Sequence, residues 1–293
     1  ASTHVTTLLN RINIEQLNNF QQKRQETQNI AEQLRSVTSK DYFHLFSSDL
    51  TFISSLTTTL QQAVDLGMPQ LALTLADTVF QVLEAVGFNQ PDILITRNNL
   101  AYVYQTVGRL DEAITLHQQN LKVLTDILGP DAPYTFPFRN NLASTYQDAG
   151  RLDEAIKLRQ QSLKDSEDLL GPDHPRTLTL RNNLACTYQD AGRLDEAIHL
   201  LKQVLEDSTR ILGPHHPDTL QARNNFANTY HHAGQLDEAV KLHEQVLEDS
   251  THILGPHHPR TLISRNNLAS TYQEAGRLDE AIYLHQQSLK DST

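Results

Sequence analysis

The chain has one cysteine, Cys186, one methionine, Met68, and no tryptophan among its 293 residues. A single thiol cannot close an intrachain disulfide and gives no basis for a cysteine metal cluster. Long apolar runs are missing too. Nothing approaches the roughly 18 consecutive apolar residues of a membrane helix, and no basic stretch leading into an apolar core opens the chain at Ala1. Cations are scarce: 24 lysines and arginines face 35 aspartates and glutamates, for a net charge of −11. That balance argues against nucleic-acid binding through phosphate neutralisation and against anionic membrane surfaces. The expected compartment is the cytoplasm. The lone methionine and the alanine at position 1 lead us to expect a piece of a longer protein. Length alone suggests about two domains, a prior that internal repeats overturn.

What is present is repetition. Arg-Asn-Asn begins at Arg97, Arg139, Arg181, Arg223 and Arg265, always 42 residues apart. A glycine follows each time, at Gly108, Gly150, Gly192, Gly234 and Gly276, and then Leu-Asp-Glu-Ala. Four copies close with Leu-Gly-Pro, as at Gly213-Pro214, and carry a second proline three residues on, as at Pro217.

Each copy reads as two helices. The first is expected from about Asp92 to Val107, with Leu100, Ala101 and Tyr104 on one apolar face. Thr135, Thr177, Thr219 and Thr261 are the expected N-caps of the later copies. Gly108 supplies the left-handed exit. The second helix begins near Arg109, with Asp111 and Glu112 at the positive end of its dipole. Its expected face is Leu110, Ala113, Ile114, Leu116, Leu121 and Leu128, and Gly129-Pro130 stops it. Ala101 and Ala113 stand where the two helices cross and let them approach. Such a hairpin cannot bury its face alone, but stacked copies can.

This pattern resembles the tetratricopeptide repeat (TPR), at Ala101, Tyr104, Gly108 and Ala113. The 42-residue length, the Asn-Asn-Leu-Ala string and the Leu-Gly-Pro-x-His-Pro linker are similar to the kinesin-light-chain type. The resemblance implies an all-α, right-handed superhelical solenoid of stacked antiparallel helix pairs. The expected divisions are an N-terminal helical segment at 1–48, a degenerate copy at 49–91, and copies at 92–133, 134–175, 176–217, 218–259 and 260–293, the last truncated in its second helix. In the degenerate copy, Asp49 to Leu66 and Pro69 to Val86 are the expected helices, turning at Gly67. In residues 1–48 the expected apolar face is Leu8, Leu9, Ile12, Leu17, Phe20, Ile30 and Leu34.

The resemblance also implies a use for the asparagines, with the first helices lining a concave groove. An amide offers both a donor and an acceptor, so a row of them can pair with the backbone of an extended peptide. Asn98, Asn140, Asn182, Asn224 and Asn266 are the candidates for that contact. The alternative is a ladder bonding neighbouring first helices, a role given more to Asn99, Asn141, Asn183, Asn225 and Asn267. Slots that vary would set specificity: Tyr102, Ser144, Cys186, Asn228 and Ser270, then Gln105, Gln147, Gln189, His231 and Gln273, then Thr106, Asp148, Asp190, His232 and Glu274. The repeated arginines are read as partners of nearby carboxylates rather than of a ligand.

Fourteen histidines invite a metal site. The recurring His174, His216 and His258 would stand on the order of 10 Å apart in stacked helices, far beyond a shared zinc ion. They are read as linker residues copied with the repeat. His231-His232 lies near the groove and would make binding pH-sensitive. No phosphate loop, nucleophile elbow or His-Glu-x-x-His motif is present, and Cys186 has no identifiable base. We therefore expect no catalytic residue, cofactor or metal. The expected function is protein–protein interaction, taking an extended protein or peptide segment. Alternatives are a sensor or autoinhibitory arm of a nucleotide-switch protein or protease, and a self-assembling spacer. End-to-end self-association of the chain is also expected.

Overall fold

The computed structural model describes residues 20–37, 50–86, 94–130 and 132–291. All thirteen helices longer than one turn among them are α, and no strand occurs there. The chain divides into two units, Ala1–Arg151 and Leu152–Thr293.

Unit 1 holds α1 (Phe20–Val37), α2 (Leu50–Asp65), α3 (Pro69–Val86), α4 (Leu94–Thr106), α5 (Leu110–Leu128) and α6 (Phe136–Asp148). Its core runs through five of these, from Ile30 and Ala31 through Leu60, Leu75 and Val79 to Leu100, Ala101 and Ala113. Residues 50–86 therefore form a helix pair, α2 and α3, with α3 spanning the expected residues. Ile30 is buried as expected. Leu8, Leu9, Ile12 and Leu17 lie outside the described residues, as do the side chains of Phe20 and Leu34.

Unit 2 holds α7 (Leu152–Leu170), α8 (Pro175–Asp190), α9 (Leu194–Leu212), α10 (Pro217–His232), α11 (Leu236–Leu254), α12 (Pro259–Glu274) and α13 (Leu278–Asp291). Small clusters repeat along it, such as Ile156, Leu184, Tyr188 and Ala197, and again Val240, Leu268, Tyr272 and Ala281. Alanines at the crossings are fully buried, as at Ala197 and Ala239.

The turn between paired helices has one form. Gly150 has φ +71°; its N–H bonds the Gln147 carbonyl at 3.0 Å, and the Arg151 N–H bonds the Tyr146 carbonyl at 2.8 Å. This is a Schellman motif, and it needs the left-handed residue that glycine supplies without strain. The arginine after the glycine then lies over the tyrosine ring that closes the preceding helix, 4.7 Å away for Arg151 on Tyr146 and 4.5 Å for Arg193 on Tyr188. One copy has Gln235 there. Its Tyr230 packs instead on Phe226, with ring centroids 4.5 Å apart.

The structure corrects the caps. The threonines do not cap; histidines do. Nδ1 of His174, His216 and His258 accepts from the backbone N–H two residues on, at 3.1, 3.2 and 3.2 Å. The following proline needs no partner for its missing N–H. Thr177, Thr219 and Thr261 are buried one turn further in, while Thr135 stands directly before α6 without a side-chain cap bond. The Thr177 hydroxyl donates to the Gly171 carbonyl at 2.9 Å and meets Ser166 Oγ at 2.8 Å, so it ties the new helix to the end of the last. Where the histidine is replaced by Ala132, the cap is missing. There a 3₁₀ turn, Pro133–Thr135, precedes α6, which is 13 residues long against 16 for α8, α10 and α12.

The α5 face is also corrected. Leu128 is 47% exposed, while His117, Asn120 and Leu124 are buried. Over the nineteen residues of α5 the buried stripe turns away from Leu128, and Asn120 faces inward, where its amide donates to the Leu94 carbonyl at 3.1 Å.

Candidate functional site

The asparagines form rungs between successive first helices. In unit 2, Asn225 Nδ2 donates to Asn182 Oδ1 at 3.1 Å, and Asn267 Nδ2 to Asn224 Oδ1 at 3.1 Å. In unit 1, Asn141 Nδ2 donates to Asn98 Oδ1 at 2.9 Å. Each rung has one polarity: the second asparagine of a copy gives, and the first asparagine of the copy before accepts. The rung uses one acceptor of the first row and none of its amide hydrogens.

A second set of rungs lies one to two turns on. The Thr229 hydroxyl faces Gln189 Oε1 at 2.6 Å and its own helix carbonyl at Asn225 at 2.9 Å. Thr145 does the same with Gln105 at 3.3 Å, and Gln105 Nε2 donates to Asp148. These threonines were missed in the sequence, although one stands before the tyrosine in four of the five copies, with Val103 in the other.

Tyr102 is half exposed on α4. Asn140, Gln147 and Asn228 are half-buried on α6 and α10. Asn266 is exposed and accepts from the Ser288 hydroxyl at 3.2 Å.

Two pockets open beside the first-row asparagines of unit 2. One, of about 180 Å³, is lined by Asn182 with Leu178, Val204 and Leu212. The other, of about 250 Å³, is lined by Asn224 with Leu220, Val246 and Leu254. These are the same positions one repeat apart. The pockets differ where Asp218 and Gln221 of the first correspond to Arg260 and Ile263 of the second.

Four of the five arginines beside the asparagines are committed inward to partners, while the fully buried Arg97 guanidinium meets no hydrogen-bond partner among the described residues. Arg181 bonds Glu167 and Asp207, both at 2.9 Å, and Arg223 pairs with Asp249. Arg265 donates to the Pro256 carbonyl at 3.3 Å, and Arg139 to that of Pro130. His231 Nε2 stands 3.1 Å from a Glu274 carboxylate oxygen.

Burial pushes the Cys186 thiol up from its ordinary value, which disfavours the nucleophilic thiolate. Burial pushes His117 and His243 down to about 4, with His231 adding to the effect on His243. Among the described residues, no group of three or more histidine, cysteine or acidic side chains could hold a metal ion. No described helix is long and apolar enough to cross a membrane.

Four overlapping stretches, 92–146, 138–210, 187–251 and 218–292, match the tetratricopeptide repeat model. The chain belongs to the tetratricopeptide repeat family. It is similar to the kinesin-light-chain-type protein of Podosopora anserina, whose TPR-like repeats are nearly identical to one another. That match has 32% identity and a TM-score of 0.60, over 69% of this chain and 96% of that one. BtubC from P. vanneervenii has the same fold at 19% identity and a TM-score of 0.60, over 82% of this chain and 91% of that one. A STAND protein of Pyrococcus horikoshii with a TPR sensor shares the fold at 12% identity and a TM-score of 0.56, over 93% of this chain and 43% of that one. No curated protein matches in sequence. The TPR copies here are thus of the kinesin-light-chain-like kind, a scaffold class consistent with protein–protein interaction.

Proposed function

We propose that this TPR chain is an adaptor that takes an extended protein segment along its first helices. The reading rests on one recurrent arrangement: a first-row asparagine whose acceptor is held by a rung, beside a small pocket of mixed polar and apolar lining, 42 residues apart in two successive copies. Asn98, Asn140, Asn182, Asn224 and Asn266 give their amide hydrogens to ligand carbonyls, and the rungs hold Asn98, Asn182 and Asn224 in orientation. Selection falls to the slots that vary, Tyr102 and Asn228, and to the polar row of Gln105, Gln147 and Gln189. Helices pack about 8–10 Å apart and an extended chain rises about 3.3 Å per residue, so successive pockets meet about every third ligand residue. Leu278 and Ile282, both more than half exposed on α13, support self-association of the chain at high concentration.

The test is a selection of displayed linear peptides on the chain and on the variant Asn140→Ala/Asn182→Ala/Asn224→Ala, with helicity checked by circular dichroism. The expected result is enrichment of a shared motif by the parent and its loss on the folded variant. Equal enrichment on both would move the binding surface elsewhere.

A further inference from the structure

The second helices offer a surface of different chemistry. α11, α12 and α13 enclose an open groove of about 910 Å³. Its floor is apolar, with Leu247, Leu268 and Leu284 and the rings of Tyr272 and Tyr283. Its rim is anionic, with Glu244, Glu248, Asp279 and Glu280. Arg277 answers two of these carboxylates from over the Tyr272 ring, 3.0 Å from Glu280 and 3.6 Å from Glu244. A similar groove of about 620 Å³ recurs over Leu184 and Tyr188, rimmed by Asp195 and Glu196. The shape is a property of the repeat.

The charge is not. At the places of Glu244 and Glu248 stand Gln160 and Lys164 two copies earlier, and Lys202 and Glu206 one copy earlier. The place of Tyr283 holds His199 and Lys241 in those copies. Every earlier pair of the five regular copies has at least one lysine on this rim. The last pair has carboxylates and a tyrosine that is 60% exposed.

The floor also selects the form of an occupant. The surrounding backbone is bonded within its own helices, so an extended segment would bury unpaired amides against leucines, at real cost. A helix arrives with its backbone already paired. The α11 wall, from Glu244 to His252, runs about two turns, or about 12 Å.

The geometry points to a second docking site between α11 and α13 for a basic amphipathic helix of a partner protein. Its apolar side chains, at i and i+3 or i+4, would meet the leucines and tyrosines, and its flanking lysines or arginines would meet the carboxylates. The site shares no lining residue with the pockets at Asn182 and Asn224.

Fluorescence anisotropy on the full chain tests this. The probe is a labelled synthetic helix of about 18 residues, long enough to be helical in water, with leucines on one face and lysines elsewhere. The comparison is Glu244→Gln/Glu248→Lys/Tyr283→Lys, in which each new residue is one that another copy carries at that place. We expect saturable binding that the variant weakens at least about tenfold. A proline-interrupted version should lose as much, a glutamate-for-lysine version should not bind, and Asn182→Ala/Asn224→Ala should leave binding unchanged. Equal binding by parent and variant, equal binding of the interrupted peptide, or loss in the asparagine variant would each overturn the proposal.

Discussion

Asn225 donates its side-chain amide to Oδ1 of Asn182 at 3.1 Å, across 43 residues of sequence. The bond makes the two asparagines of the repeated pair unequal: one builds the scaffold, and the other is oriented by it. Replacing Asn225 with alanine should cost unit 2 about 1 kcal/mol, the net worth of a half-buried neutral hydrogen bond. A double-mutant cycle with Asn182→Ala, read by urea unfolding, should return a coupling of about that size. Strict additivity would mean the rung contributes nothing.

His243 is buried and held neutral, its value lowered to about 4 from an ordinary 6.5. A lowered histidine binds fewer protons folded than unfolded between those two values. Stability is therefore complete above about pH 6.5 and drains as pH falls toward 4. At pH 5 the loss should be about 2 kcal/mol. The equivalent residue one copy earlier is the buried Leu201. His243→Leu should remove this part of the acid sensitivity, seen as a smaller drop in urea midpoint between pH 7.5 and pH 5. An unchanged drop would show that His243 is not a source.

Two glycines with positive φ should respond differently to asparagine. Gly234 has φ +71° in a Schellman exit, a left-handed conformation that asparagine tolerates. Gly255 has φ 92° and ψ 160°, a region open almost to glycine alone. A Cβ meets nothing within 4 Å at either place, so the cost is conformational rather than steric crowding by neighbours. Gly234→Asn should cost about 0.5 kcal/mol or less, and Gly255→Asn about 1–3 kcal/mol. Thermal unfolding of the two variants side by side gives the comparison, and equal losses would refute it.

The histidine cap should behave as any N-cap does. His216→Ala should destabilise unit 2 by about 1 kcal/mol, and His216→Asp should keep most of that. Equal melting of the alanine and aspartate variants would remove the capping role from His216.

The period and the Gly-punctuated hairpins were legible because the same residues recur at the same spacing, and glycine has few reasons to recur where no turn needs it. The direction of the asparagine rungs was not. It depends on how far one first helix is staggered against the next, and no single copy contains that information. The caps failed for a related reason. Threonine is the commoner capping residue, and only the fold shows that Thr177 sits a turn inside, bonded to Gly171, while His174 stands at the boundary. The inward turn of His117 and Asn120 was hidden because their polarity reads as surface.

We propose that first-row asparagines read a ligand's backbone. The most direct test takes a peptide selected on the chain and replaces single amides by esters, which weakens the acceptor carbonyl and leaves the side chains alone. Titration calorimetry against the parent and Asn224→Ala should show that one ester weakens binding to the parent by about tenfold, or about 1.4 kcal/mol. The same ester should do little against Asn224→Ala. Esters that bind as tightly as amides, or that lose equally against both proteins, would contradict backbone recognition by the asparagine row.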